Sequence, residues 1–122
     1  MLVNRILFED NHLIAINKKS SEIVQGDRTG DPTMPDAIKV YLKDKYNKPG
    51  NVFCGVIHRL DRPTSGVILF ARTSKGLERM NKQFRDQQTS KIYWAIIENK
   101  PPNEEGRLIN YVKKNEKQNK SY

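Results

Sequence analysis

Residues 58–66 read His58-Arg59-Leu60-Asp61-Arg62-Pro63-Thr64-Ser65-Gly66. A histidine, two arginines and a carboxylate fall within five positions. The segment then closes on Pro-Thr-Ser-Gly, a turn composition whose glycine is free to take positive φ. Positive neighbours favour the ionised form of a carboxylate, so Asp61 could act as nucleophile, base or electrostatic stabiliser. The same residues could equally form an Asp–Arg pair that pins a surface loop. Cys54 stands four residues before His58, but a Cys–His nucleophile pair fails on geometry. In a strand such positions share a face and lie ~13 Å apart, beyond hydrogen-bond reach. A two-carboxylate hydrolase site is not expected either, because Asp61 has no paired acid nearby in the sequence.

The elements that must position this segment are short. Arg5–Phe8 and His12–Asn17 are apolar runs separated by Glu9-Asp10-Asn11, a strand–turn–strand pattern. The second run is apolar on consecutive positions, so both of its faces should be covered. Ser20–Pro35 is a long loop carrying Gly26, Asp27, Gly30, Asp31 and Pro32, and loops of that length more often have a task than not. Thr33 followed by Asp36 is a capping pattern. Ile38, Tyr41, Leu42 and Tyr46 share one helical face, which predicts a helix over Pro35–Tyr46. Val52–Ile57 should be a strand leading into the motif and Val67–Ala71 a buried strand leaving it. Ser74 should cap a second helix to about Gln87, with Leu77, Met80 and Phe84 turned inward. Lys91–Ile97, apolar on both faces, predicts a mid-sheet strand, and Arg107–Val112 a further one. Strands and helices mix without regular βαβ alternation. The expected class is α+β, with a mixed, largely antiparallel sheet flanked by helices. Residues 1–112 should form that unit and 113–122 a polar Lys/Asn-rich tail whose one apolar residue, Tyr122, cannot close a core.

Composition narrows the partners. The 122 residues suit one domain or part of one. Only 36% are hydrophobic, 30% are charged, and the net charge is +8. Residues 1–60 hold 9 basic and 7 acidic groups, whereas 61–122 hold 13 and 7. That excess points to an anionic partner, RNA or DNA first, or to a solvated lysine-rich surface. The single cysteine excludes an internal disulfide, and with His12 and His58 the only histidines no conventional zinc site, or other metal, is expected. No apolar run approaches a membrane span and the amino end is unlike a secretory signal, so a cytoplasmic location is expected.

HRLDRPTSG at 58–66 resembles the HRLDxxTSG signature of the RluA-like pseudouridine synthases, which isomerise uridine to pseudouridine in RNA. The resemblance extends outward to RILFEDNHLIAINK at 5–18, VILFARTSKG at 67–76 and Lys91-Ile92-Tyr93, covering roughly residues 5–112. It implies that Asp61 is the catalytic aspartate, attacking the ribose or otherwise assisting uracil departure, after which the base rotates and rejoins through carbon. It implies that Tyr93 stacks on the target base and takes part in proton removal; a buried strand aromatic is the plainer alternative. It implies that Arg59 fills the gap left by the flipped nucleotide, a fitting task for a flat cation beside phosphates. His58 and Arg62 would contact RNA phosphates or shape the loop, and Thr64, Ser65 and Gly66 would hold it. No cofactor is implied, and the partner would be rRNA or tRNA.

Two departures from the pattern stand out. Where the family usually has Lys-Pro-x-Gly, this chain has Lys18-Lys19-Ser20-Ser21. The family's later strands and the basic residue that pairs with the catalytic aspartate are not found in the sequence, and no S4-type RNA-binding domain precedes Arg5. The expectation is an amino-terminal part of a catalytic domain, inactive alone. In it Tyr93 and Trp94 would be more exposed than their pattern implies and the incomplete sheet would be open to self-association. The rival reading is a non-catalytic RNA-binding remnant.

Overall fold

The computed structural model describes residues 1–118, 120 and 121; Asn119 and Tyr122, in the polar tail, lie outside the described residues. It divides into two compact units, Met1–Ser90 and Lys91–Tyr122.

In the first unit a 3-10 turn at Leu2–Arg5 leads into strand β1 (Ile6–Glu9), which is followed by β2 (Leu13–Lys18). Asp10 makes the turn between them, its carboxylate accepting from the backbone N–H groups of His12 and Leu13 at 2.8 and 2.7 Å. Helix α1 (Met34–Tyr46) comes next, then the two-residue strand β3 (Gly55–Val56), β4 (Gly66–Ala71) and helix α2 (Ser74–Arg85). The sheet order is β1-β2-β4-β3 and every pairing is antiparallel. The α+β expectation holds.

The long pairing is β2 with β4, in register from Leu13↔Ala71 to Lys18↔Gly66. Ile14 and Ile16 on β2 and Ile68 and Phe70 on β4 share one face. They meet Met34, Ile38 and Leu42 of α1 and Val24 of the preceding loop in one buried cluster. The opposite face receives α2, where Leu77 lies against Gly55. Gly76 is required there, since a Cβ would stand 2.7 Å from the His12 carbonyl oxygen. On that face Ala15 is buried and Leu13 half-buried while Asn17 is exposed, so the coverage that the consecutive apolar residues of β2 predict holds for LIAI and ends at Asn17.

Helix starts follow the local chemistry. Thr33 caps α1 in a capping box: its hydroxyl accepts from Asp36 N–H at 3.3 Å, and the Asp36 carboxylate accepts from Thr33 N–H at 2.9 Å. Asn47, at φ 50°, ends the helix. For α2 the cap is Thr73 and not Ser74; the Thr73 hydroxyl accepts from Gly76 N–H at 3.0 Å and also meets His12 Nδ1 at 2.7 Å.

In the second unit the sequence expectations fail at two places. Lys91–Ile97 and Arg107–Val112 form no strand among the described residues. Apolar alternation supplies faces to bury, but a strand also needs backbone partners on its edges, and none of the described residues provides them. Trp94 is 98% exposed and Tyr93 62%, in line with the expectation of exposure. Pairing occurs instead inside the polar tail, where β5 (Lys114–Asn115) and β6 (Lys120–Ser121) make a short antiparallel hairpin.

Candidate active-site turn

The chain leaves β3 after only two paired residues and returns at Gly66, so residues 57–65 form a turn at one end of the β2–β4 pair. Inside it Thr64 N–H donates to the Asp61 carbonyl at 2.9 Å. Gly66 has φ 132°, a conformation that side-chain-bearing residues rarely adopt. That is why the motif must end in glycine.

His58 is a structural member of the turn. Its Nε2 accepts from Leu69 N–H at 3.0 Å, and its ring stacks on Phe84 of α2 with centroids 5.0 Å apart. The ring thus takes the donor that a longer β3 would have bonded. With Nε2 accepting from the β4 backbone and the ring stacked on Phe84, His58 shapes the loop.

Beneath the turn lies Lys18, a residue to which sequence reasoning gave no role. It is the one buried charged side chain among the described residues, 1% exposed. Its ammonium donates to the carbonyls of Thr64 at 2.6 Å, Arg62 at 3.0 Å, Asp61 at 3.2 Å and Lys19 at 3.2 Å. Burial pushes its pKa down; the charges of Glu22 and Asp61 oppose that shift and Arg62 adds to it. The available signal was a lysine two places beyond the apolar run LIAI, on the same strand face as Ile14 and Ile16.

The two arginines beside Asp61 turn away from it. Arg59 is exposed and donates to Gln25 Oε1 at 3.0 Å. Arg62 bridges two carboxylates, Nη1 to Asp27 at 2.9 Å and Nη2 to Asp31 at 2.6 Å. The Asp31 bond foremost raises the Arg62 pKa and lowers that of Asp31; Asp27 is held below the usual carboxylate range chiefly by hydrogen bonds from the Thr29 hydroxyl and N–H, with Arg62 adding to them. The Asp61 carboxylate faces solvent, and no side chain among the described residues pairs with it. Sequence reasoning expected the flanking arginines to support Asp61 directly. Its charge opposes the burial shift of Lys18 beneath the turn.

The turn's remaining support comes from the departure at 18–21. Ser21 takes φ 79°, the left-handed region, at the position where the family pattern has glycine. Its N–H donates to the Arg62 carbonyl at 2.8 Å. Glu22 accepts from Lys19 N–H at 2.7 Å and pairs with Arg5 at 2.5 and 3.0 Å, tying the start of the loop to the amino end. Thr64 is half-buried and Ser65 exposed. Cys54 is no nucleophile: burial pushes its thiol up to about 12. No group of His, Cys, Asp or Glu among the described residues could hold a metal ion, and no described helix is long and apolar enough to cross a membrane. Tyr93 belongs to the second unit.

Residues 12–122 match the sequence pattern of the family described as RNA pseudouridylate synthase. A ribosomal large subunit pseudouridine synthase C of Buchnera aphidicola is 38% identical over 96 residues, covering 79% of this chain and 29% of that protein. A tRNA pseudouridine synthase C of Haemophilus ducreyi is 41% identical over 92 residues, covering 75% and 36%. A solved structure, human RNA pseudouridylate synthase domain containing 4, superposes with a TM-score of 0.61 at 26% identity, covering 71% of this chain and 31% of that one. The chain therefore spans about a third of the length of such relatives. On the match over residues 12–122 and the 38% identity over 79% of its length, the chain belongs to the RNA pseudouridylate synthase family.

Proposed function

We propose that the protein containing this chain isomerises uridine to pseudouridine in rRNA or tRNA, with Asp61 as the catalytic carboxylate. The observation that carries the reading is the Asp61 side chain itself. It is solvent-facing and unpaired, on a turn whose backbone is fixed from below by Lys18. A rigid backbone with an unengaged carboxylate is what an in-place attack on a ribose needs. The bond from the ribose to the uracil nitrogen breaks as the Asp61 carboxylate bonds to the ribose, and the base rotates. A ring carbon then bonds to the ribose and displaces the carboxylate; that carbon loses a proton and the freed nitrogen gains one, so the product is an isomer. Arg59, held only by one amide, is available to enter the stack vacated by an extruded nucleotide. Tyr93 would meet the base, and its exposure in this chain supports a second reading for residues 1–122 alone, RNA binding without turnover.

The test is pseudouridine formation by the full-length protein and by residues 1–122, on total RNA from a strain lacking the gene. Asp61→Asn in the full-length protein should abolish the product while RNA affinity stays within a few-fold. Near-normal turnover by that variant would remove Asp61 from the mechanism. Multiple turnover by residues 1–122 would overturn the second reading.

A further inference from the structure

The two arginines of the motif are held in opposite ways. Arg59 has one neutral partner, Gln25. Arg62 has two charged ones, so an incoming phosphate would have to compete with two carboxylates already neutralising the guanidinium. The segment that supplies those carboxylates is itself preformed. Asp27 Oδ1 accepts from Thr29 N–H at 2.9 Å and from the Thr29 hydroxyl, Asp31 N–H donates to the Thr29 hydroxyl at 3.1 Å, and Gly30 turns the chain at φ 72°. Arg62 is fixed at its other end too, its carbonyl accepting from Ser21 N–H and from the Lys18 ammonium. It joins β2's end, the catalytic turn and the 25–31 segment. Gln25, next to that segment's first glycine, is the residue that holds Arg59.

We propose that Arg62 is a positioning residue and not an RNA contact. It clips residues 25–31 across the catalytic turn as a strap, and the strap, through Gln25, holds Arg59 at the turn's edge until RNA takes it. The proposal rests on the pseudouridine synthase reading only for the role of Arg59; the clip is a property of the protein without RNA.

The experiment compares full-length Arg62→Gln, the double variant Asp27→Asn/Asp31→Asn, and the triple combination. Trypsin cleavage after Arg28 reports opening of the strap. Both Arg62→Gln and the double variant should be cut about fivefold faster or more than the parent, and the triple variant no faster than either. Binding of a uridine-containing hairpin RNA is then followed against salt. A clip predicts the parent's salt dependence in Arg62→Gln, and weaker or equal binding in the aspartate double variant. If Arg62 instead contacts a phosphate, Arg62→Gln will lose about 0.7–0.9 from the log–log salt slope. The aspartate double variant, by freeing the guanidinium, will then bind RNA more tightly. Either result overturns the proposal. Equal cleavage rates in the parent and all variants would do the same. Loss of pseudouridine formation in the parent would sink the functional reading while leaving these readouts intact.

Discussion

Replacing Lys18 by methionine keeps the buried stem and deletes the ammonium, so its effect can be worked from the bonds described above. Three of the four carbonyls it serves keep another donor: Thr64 N–H for Asp61, Ser21 N–H for Arg62 and Glu22 N–H for Lys19. The Thr64 carbonyl has no second donor among the described residues and is orphaned. An unsatisfied buried acceptor costs about 1–3 kcal/mol, and the lost charge-assisted bonds add to that, while removing a buried charge gives part of it back. The net expectation is a loss of about 2–4 kcal/mol, which moves a urea midpoint by about 1–2 M. Because the released backbone carries Asp61, turnover should fall at least about tenfold even below the unfolding transition. Full-length Lys18→Met and Lys18→Arg would be compared by urea unfolding and by pseudouridine formation at low denaturant. A midpoint within about 0.3 M of the parent, together with unchanged turnover, would refute the view that this ammonium holds the turn.

Cys54, just before β3, offers a control. With its thiol pushed up to about 12 by burial, it should resist iodoacetamide at pH 8 in the folded protein, read by intact mass, and Cys54→Ala should keep full turnover. Ser21 offers the opposite. Relieving its left-handed backbone by Ser21→Gly should stabilise the protein by about 0.5–1 kcal/mol after glycine's entropic cost, seen as a higher urea midpoint.

What the sequence made legible was local. The capping box at Thr33 and Asp36, the buried β2 and β4, and the glycine ending the motif each follow from neighbours within a few positions. The motif singled out Asp61 and Arg59, and offered Arg62 as a phosphate contact or a loop-shaping residue without naming what it would hold. Its partners Asp27 and Asp31 lie 35 and 31 residues away, in a loop without periodicity to announce what it touches. Lys18 escaped for the same reason, since its acceptors are backbone carbonyls and carry no residue-type signal. At Lys91–Ile97 the pattern was clear but misleading, because alternation reports which faces want burial and not whether a neighbouring strand is there to pair.

Nearly everything that shapes the motif turn reaches it from far along the chain. Lys18 spans 43 to 46 residues to its carbonyls on the turn, and Arg62 spans 31 and 35 to its aspartates. Loop closure over such distances must be met before any of these bonds can form. The turn's bonds are therefore expected to form together with the pairing of β2 and β4, which itself joins residues 48 to 58 apart, and not ahead of it. A substitution that weakens that pairing should loosen the motif turn as well.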